Sequence, residues 1–213
     1  MNGMLIGLSG LAGSGKDTAA SALVDEYDGV VVAFADPIKR VAADVYGFSE
    51  EQLWGPSEMR NAPDCRWERS DGTFLTPRQA CQVIGTEMGR TLHPDTWVRY
   101  ALKIAAKLRD VANFHDYSRV AGLTKCLRII GSLDVYVSDV RFPNEVAAIK
   151  DAGGIVLRVV RLGAGLVGST AAHVSETGQT EIPDDAFDAI VHNNGSIDDF
   201  RRLVVQLVYG FRP

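Results

Sequence analysis

The sequence predicts an α/β fold with a mostly parallel five-stranded sheet and helices on both faces. Three observations predict it. Short apolar runs alternate with segments whose apolar residues recur every three or four positions, as in strands connected by helices. A glycine-rich turn separates the first apolar run from the first helical segment. Hydrophobic residues make up 46% of the 213 positions, enough to fill the core of one domain. The expected strands are 4–9, 30–35, 133–138, 155–161 and 189–192.

The helices in the first part of the chain are predicted from their start signals. The first helix is expected to begin near Lys16, directly after the glycine-rich turn. The second begins at Asp36, because aspartate is a favoured N-cap and Pro37 is tolerated in a first turn. Residues 47–75 hold Gly, Pro, Ser, Asp, Trp and Arg with little periodicity, which indicates an irregular insertion.

Four further helices have similar signals. One is expected over 76–90, where a threonine and a proline stand at the start, and another over 97–111. A helix over 143–152 is closed by Gly153, the residue type with which helices commonly end. Ser196 is followed by an aspartate three residues later, which resembles a capping box and begins the last helix.

These elements indicate a single domain over 1–213. An insertion is expected to cover 47–112, including the two helices that follow the irregular part. Residues 163–185 are rich in Gly, Ser and Thr and predict a loop or lid. Residues 113–131 show no clear pattern.

Charge and composition exclude several classes of protein. The formal net charge of −5 disfavours binding of a nucleic acid polymer, which requires a basic face. No segment approaches the ~20 apolar residues of a membrane helix, and the first residues lack the basic region of a signal peptide. The three cysteines, Cys65, Cys81 and Cys126, form no CxxC pair, so we expect reduced thiols in a cytoplasmic protein.

The strongest motif is the glycine-rich turn itself. Residues 10–18 read GLAGSGKDT and match G-x-x-x-x-G-K between a strand and a helix, the context of a phosphate-binding P-loop. Glycines let the backbone wrap around a phosphate chain, and Lys16 can reach the β- and γ-phosphates. The residues expected to bind ATP here are Ala12, Gly13, Ser14, Gly15, Lys16, Asp17 and Thr18.

The position after the lysine departs from the common pattern. A serine or threonine usually stands there as a ligand of Mg²⁺, whereas this chain has Asp17 and places the Thr18 hydroxyl one residue later. We therefore expect Mg²⁺ to accompany ATP near these two residues. Asp17 could hold the ion through a bound water or orient the acceptor.

A second segment with chemical potential is 138–145. Asp139 follows the third predicted strand, and ligands of open α/β sheets bind at the carboxyl ends of strands. Its carboxylate could hold Mg²⁺ through water or receive a substrate proton, and Arg141 could neutralise phosphoryl charge. The alternative is that Asp139 caps the following helix while Arg141 pairs with Glu145.

The predicted helix over 76–90 carries a polar stripe that could bind a nucleotide. Its members lie four residues apart and share a face, although a solvated face would show the same spacing. Lys39 could contact an acceptor phosphate or lie exposed, and Trp97 could stack on a base or pack in the core. The stripe consists of Arg78, Gln82, Thr86 and Arg90.

Four segments together resemble the deoxynucleoside monophosphate kinases of bacteriophages and some bacteria. They are 10–18, FADPIK at 34–39, IGTEMGR at 84–90 followed by Trp97-Val98, and SDVRFPNE at 138–145. The resemblance implies a P-loop kinase in which 47–112 binds the acceptor and 163–185 forms the lid. A phage-encoded chain of this kind would act in the host cytoplasm.

The same resemblance implies a reaction and its residues. The γ-phosphoryl group of ATP would pass to a deoxynucleoside monophosphate, with Mg²⁺ bridging the ATP phosphates. The implied catalytic residues are Lys16, Asp17, Asp139 and Arg141. The implied acceptor contacts are Lys39, Arg69, Arg78, Gly85, Trp97, Asp139, Arg141 and Glu145.

The end of the chain, 188–200, is similar to a segment shared by several small-molecule P-loop kinases, including dephospho-coenzyme A kinases. By that likeness, Asn193 and Gly195 border the ATP base, mainly through backbone groups. Two alternatives stay open, namely a kinase of another small phosphorylated acceptor, such as dephospho-coenzyme A or phosphomevalonate, and a non-catalytic ATP-binding regulatory module. The sequence also leaves open which bases are accepted, how ribonucleotides are treated and whether the chain forms a homodimer.

Overall fold

The computed structural model describes residues 3–109, 133–165, 179 and 182–212. The chain divides into two compact units. The first comprises Met1–Ala33 and Tyr100–Pro213, and the second comprises Phe34–Arg99. All the strands of the sheet belong to the first unit.

Five parallel strands form one sheet in the order β2-β3-β1-β4-β5. This confirms the predicted sheet. The first strand lies at its centre, and all of that strand's residues are buried. The strands are β1 Leu5–Ser9, β2 Val30–Val32, β3 Val135–Val140, β4 Ile155–Val160 and β5 Ala189–His192.

The helices begin close to their predicted start signals, but the prediction of Asp36 as an N-cap is wrong, because Ala35 is the N-cap and Asp36 is the first residue of the second helix. Ser196 accepts a hydrogen bond from the backbone N–H of Asp199, which confirms the cap of the last helix. Gly153 has a φ of +72° and follows the end of the seventh helix, as predicted. The helices are α1 Lys16–Tyr27, α2 Asp36–Tyr46, α3 Glu50–Trp54, α4 Ser57–Asn61, α5 Pro77–Gln82, α6 Thr96–Arg109, α7 Pro143–Asp151 and α8 Ile197–Tyr209.

Helices cover both faces of the sheet. Neighbouring residues of β1 point to opposite faces, so their contacts show which helices lie on each side. Ile6 belongs to a buried cluster with Leu23 of α1 and Phe200 of α8. Gly7 faces the other side, where a Cβ atom built on it would lie 2.8 Å from Cδ1 of Ile149 in α7. The predicted arrangement of helices on both faces is therefore confirmed.

Several strand boundaries differ from the prediction, and the largest differences concern β2 and β3. β2 ends at Val32 rather than at residue 35, where the chain enters the second unit. β3 extends to Val140, so Asp139 lies inside the strand and not after it. The register explains this, because Gly7 pairs with Val137 whereas Ser9 pairs with Val140, leaving one extra residue in β3. Such a bulge bends a strand and redirects its side chains.

The second unit consists mainly of helices around its own apolar cluster. α2, α3 and α5 supply most of that cluster, and a π-helical segment, Val83–Arg90, continues α5. The change of helix type at Val83 corrects the prediction of one regular helix over 76–90. The buried cluster comprises Ile38, Ala42, Phe48, Leu53, Ala80 and Ile84.

Residues 47–75 are more ordered than the sequence analysis predicted. They contain α3 and α4, followed by an antiparallel bridge between Glu68 and Phe74. Ser49 and Gln52 form a capping box at the start of α3, a signal present in the sequence but too short to establish periodicity. The assignment of 47–112 as the acceptor-binding insertion stays a prediction, and the compact unit itself covers Phe34–Arg99.

Most of the predicted lid, 163–185, and all of 113–131 lie outside the described residues. The described end of the lid includes one turn of 3₁₀ helix, Asp184–Ala186. No helix in the part of the chain that the structure describes has the length and apolarity needed to cross a membrane.

Candidate active site

The glycine-rich loop connects the end of β1 to the start of α1. Three of its residues have positive φ angles, which are +146° at Gly10, +76° at Gly13 and +107° at Gly15. Glycine adopts such angles without the steric penalty of other residues, so this backbone path requires glycine. The backbone N–H of Ser14 donates to the carbonyl oxygen of Leu11 over 3.1 Å and tightens the turn.

The ammonium group of Lys16 lies against the loop. Nζ donates to the carbonyl oxygens of Gly10 at 2.6 Å and Leu11 at 2.9 Å. The lysine therefore places its positive charge at the loop that precedes its own helix. That placement suits the neutralisation of a bound phosphate chain.

A side chain from the end of β5 holds the loop. Nδ2 of Asn193 donates to the carbonyl oxygen of Ser14 over 2.8 Å, and the backbone N–H of Asn193 donates to Val160 over 2.7 Å. A Cβ atom on Gly15 would lie 2.4 Å from Nδ2 of Asn193. No local pattern of residues indicates this contact, and the likeness of 188–200 to other P-loop kinases implies instead that Asn193 and the exposed Gly195 border the ATP base. That expectation stays a prediction.

A cavity of about 270 Å³ borders the loop. Gly10 and Ser14 line it on the loop side, and Arg158 and Gln179 line it elsewhere. Oγ of Ser14 and both polar atoms of the Gln179 side chain are buried without a hydrogen-bond partner among the described residues. Leu11, Val159 and Val160 also line the cavity, so its wall combines apolar side chains with polar residues.

Arg158 of β4 connects the strand to the described end of the predicted lid. Its guanidinium donates to Asp184 Oδ1 at 2.5 Å and to the carbonyl oxygens of Ile182 and Gln179, each at 3.2 Å. It also lies 5.0 Å from the ring centroid of Phe187. These contacts fix the chain that returns to β5.

The end of β3 brings Asp139 and Arg141 to the carboxyl edge of the sheet. β3 is hydrogen-bonded to β1, the strand that leads into the loop. Both side chains are half-buried. Since the carboxyl ends of parallel strands meet at one edge, the loop and Asp139 share that edge.

Glu145 fixes the backbone after β3. Its side chain is buried, and Oε2 accepts hydrogen bonds from the backbone N–H groups of Arg141 at 2.6 Å and Phe142 at 3.1 Å. The carboxylate thereby satisfies donors at the start of α7. Glu145, rather than Asp139, therefore caps the start of this helix. Its proposed contact with an acceptor stays a prediction.

In the second unit, Arg78 of α5 is half-buried, and its NH2 group donates to Oγ of Ser57 over 3.2 Å. Lys39 of α2 places Nζ 5.3 Å from the ring centroid of Trp54. Arg69 is exposed in the turn before Phe74, and its backbone N–H donates to Thr73 over 2.7 Å. The roles of these three cations as acceptor contacts stay predictions.

Trp97 supports the π-helical segment. Its indole Nε1 donates to the carbonyl oxygen of Gly85 over 2.7 Å, and a Cβ atom on Gly89 would lie 2.3 Å from the indole ring. A Cβ atom on Gly85 would lie 2.9 Å from Cδ1 of Ile38. Both glycines therefore permit close packing. π-helical segments often occur at functional sites.

The described residues contain no group of three or more His, Cys, Asp or Glu side chains that could hold a metal ion. Mg²⁺ in nucleotide sites commonly takes one or two protein oxygens and completes its shell with phosphates and water. Asp17 is exposed and Thr18 is half-buried in the first turn of α1, and both offer such oxygens. The donor set therefore fits an ion that arrives with ATP.

Comparison with known proteins identifies the family. The chain is 30% identical to a protein of Acanthamoeba polyphaga mimivirus whose provisional name is deoxynucleotide monophosphate kinase, and the match covers 96% of both chains. The chain belongs to the deoxynucleotide monophosphate kinase family. A second relative in this family is the deoxynucleoside-5′-monophosphate kinase of Escherichia phage T5, with 25% identity over 70% of this chain and 72% of the phage protein.

Similar solved structures and family models assign no further function to this member of the kinase family. The dephospho-CoA kinase from Campylobacter jejuni has a TM-score of 0.48 and 14% identity, covering 97% of this chain and 96% of that chain. A structure from Thermus thermophilus has a TM-score of 0.46 and 14% identity over the whole of both chains. A scan against protein-family models found no match.

Proposed function

We propose that this chain transfers the γ-phosphoryl group of ATP to a deoxynucleoside monophosphate and releases ADP and the deoxynucleoside diphosphate. The observation that carries the proposal is the Lys16 ammonium, held on the glycine-rich loop between β1 and α1. The names of the two viral relatives support the choice of acceptor.

The loop residues Ala12 to Thr18 are the proposed donor site. Their backbone N–H groups would hold the phosphates of ATP, and Lys16 would neutralise charge at the far end. Asn193 keeps the loop in shape through Ser14, and backbone groups near Gly195 would border the base. A preformed cradle of this kind stabilises charge without reorganisation during the reaction.

Mg²⁺, when bound with ATP, would neutralise charge on the β- and γ-phosphates. Thr18 would offer its hydroxyl to the ion, and Asp17 would act through a bound water. The carboxylate of Asp17 also suits orientation of the acceptor.

On the acceptor side, the attacking group is a phosphate oxygen that is already anionic, so a strong general base is not required. This oxygen forms a bond to the γ-phosphorus while the bond to the β–γ bridging oxygen breaks and ADP leaves. Positioning and charge neutralisation would supply most of the acceleration. Arg141 and Asp139 are the proposed groups in the first unit, with the Arg141 backbone held by Glu145. The proposed contacts in the second unit are Lys39, Arg69, Arg78, Gly85 and Trp97.

The test is a panel of acceptors with ATP labelled in the γ-phosphate. The panel contains dAMP, dGMP, dCMP, dTMP and hydroxymethylated pyrimidine nucleotides, together with dephospho-coenzyme A and phosphomevalonate. We expect labelled diphosphate from at least one deoxynucleotide, and none with Lys16→Ala, which should stay folded. Labelled product from dephospho-coenzyme A or phosphomevalonate alone would refute the proposed acceptor. ATP binding without product from any acceptor would indicate a regulatory module.

A further inference from the structure

Two arginines of the second unit converge on one serine hydroxyl. Oγ of Ser57 accepts from NH2 of Arg78 at 3.2 Å and from NH2 of Arg60 at 3.4 Å. Arg78 belongs to α5, whereas Ser57 and Arg60 belong to α4, and all three residues are half-buried. An anion bound at this point would be attracted by both guanidinium groups.

Arg60 has hydrogen-bonding capacity that this serine does not use. Its Nε atom is buried and has no hydrogen-bond partner among the described residues. The bond to Ser57 is long for a guanidinium donor. A buried donor without an acceptor is destabilising, and in native proteins it often has a functional cause.

A third cation, Lys39, belongs to α2, which contacts α5. Burial raises the pKa of the Cys81 thiol, whereas the positive charges of Lys39, Arg78 and Arg60 act to lower it. Cys81 lies on α5, so the charges of cations from α2, α4 and α5 are felt at this helix. Their combined charge suits a dianionic group.

We propose that Arg60, Arg78 and Lys39 form the binding site for the phosphate monoester of the acceptor, with Ser57 positioning the two guanidinium groups. Planar guanidinium forks match the oxygens of a phosphate, and a lysine adds a mobile point charge. Arg60 and Ser57 are absent from the contacts expected from the sequence, because 47–75 offers no periodicity that would place them beside Arg78. This inference rests on the proposed function and adds two residues to its acceptor site.

The test distinguishes binding of the acceptor's phosphate group from binding of its nucleoside. The full chain is first saturated with the non-hydrolysable analogue β,γ-imido ATP, so that the glycine-rich loop is occupied. The deoxynucleotide that the wild type phosphorylates fastest and its matching deoxynucleoside are then titrated by calorimetry. Arg60→Gln should raise the Kd of the nucleotide about 10- to 150-fold, the range for a lost charge-assisted hydrogen bond. The Kd of the deoxynucleoside should not change.

Controls make the result specific to the site. Arg99→Gln removes an exposed arginine of α6 and should leave both Kd values at the wild-type level. Arg60→Lys should restore part of the nucleotide affinity, and Ser57→Ala should weaken it less than Arg60→Gln does. If Arg60→Gln does not fold, the milder Arg60→Lys and Ser57→Ala variants test the inference through the same comparison of nucleotide Kd with deoxynucleoside Kd.

Two results would overturn the inference. One is a wild-type nucleotide Kd in Arg60→Gln, and the other is equal weakening for nucleotide and deoxynucleoside, which indicates a structural role only. If the wild type binds no deoxynucleotide, the proposed function fails separately, and inorganic phosphate becomes the probe. Phosphate affinity that is lost in Arg60→Gln and kept in Arg99→Gln would still support an anion site, whereas no phosphate binding by the wild type would refute it.

Discussion

The side-chain amide of Asn193 donates a hydrogen bond to the backbone carbonyl of Ser14 over 2.8 Å. This contact joins the end of β5 to the middle of the glycine-rich loop, two segments far apart in the sequence. A loop with three positive-φ glycines has little intrinsic preference for one path, because glycine loses more conformational entropy on ordering than other residues. The amide therefore helps to select one path for the loop.

We expect Asn193→Ala to weaken ATP binding. The variant removes the hydrogen bond to the Ser14 carbonyl that holds the loop. Loss of a hydrogen bond worth about 1 kcal/mol corresponds to roughly a fivefold higher Kd for ATP. Calorimetric titration with ATP measures this Kd. Gln206→Ala removes an exposed amide of α8 and is the matched control. Equal ATP affinities in the two variants would show that the tether is unimportant.

Substitution of two loop glycines should separate backbone strain from steric conflict. At Gly13, with φ +76°, a Cβ atom would have no neighbour within 4 Å, so Gly13→Ala should lower the free energy of unfolding by about 1–2 kcal/mol through strain alone. At Gly15 the Cβ atom would also collide with Asn193 Nδ2 at 2.4 Å. Gly15→Ala should therefore be more destabilising in urea titrations. Equal losses would contradict the tight fit at Gly15.

Arg141→Ala should slow phosphoryl transfer more than it weakens binding of ATP. The guanidinium is proposed to neutralise charge that develops during transfer, and loss of such a group lowers kcat about 100- to 1000-fold. Steady-state kinetics measure kcat, and titration with ATP measures the Kd of ATP. Arg202→Ala removes an exposed arginine of α8 that pairs with Asp199, and it should leave kcat unchanged. An unchanged kcat in Arg141→Ala would remove this residue from the reaction.

Trp97→Phe should impair the acceptor side without affecting ATP. The variant keeps most of the ring but leaves the Gly85 carbonyl without its indole donor, at a loss of about 1 kcal/mol. We expect a higher KM for the acceptor and an unchanged KM for ATP. Trp67→Phe removes a comparable indole hydrogen bond, to Tyr46, and should reduce stability only. If both variants have wild-type acceptor KM values, Trp97 has a purely structural role.

Asp64 should make the stability of the chain depend on pH in the acidic range. Hydrogen bonds from the side chains of Arg66 and Gln52 hold the pKa of this carboxyl well below its ordinary value. A depressed pKa contributes stability above the unfolded pKa near 4, and that contribution is lost as the pH falls towards the folded pKa.

Asp64→Asn should therefore lower the free energy of unfolding by about 2 kcal/mol at pH 7, and the difference from wild type should narrow below pH ~4. Urea titrations at several pH values measure this. Asp44→Asn, at an exposed position of α2, is the matched control. A difference that stays constant down to pH ~3 would show that the charge of Asp64 is not involved.

The prediction of the fold from the sequence depended on local signals. The five strands could be predicted because each is a short apolar run bounded by turn residues, and β1 is fully buried in the structure. The bulge at Asp139 could not be predicted, because it arises from the pairing of β3 with β1. The π-helical segment was also missed, since its shape goes together with the packing of Trp97 against Gly85 and Gly89.

The sequence by itself determined the parallel sheet, the position of the glycine-rich loop and the lysine that follows it. Hydrophobic periodicity and the φ preference of glycine act over a few residues, so short segments of the sequence are enough to predict these features. Only the tertiary structure decided that Asn193 holds Ser14 and that Ser57 joins Arg60 to Arg78. Such contacts depend on how distant or non-periodic segments pack, and no local pattern of residues encodes that geometry.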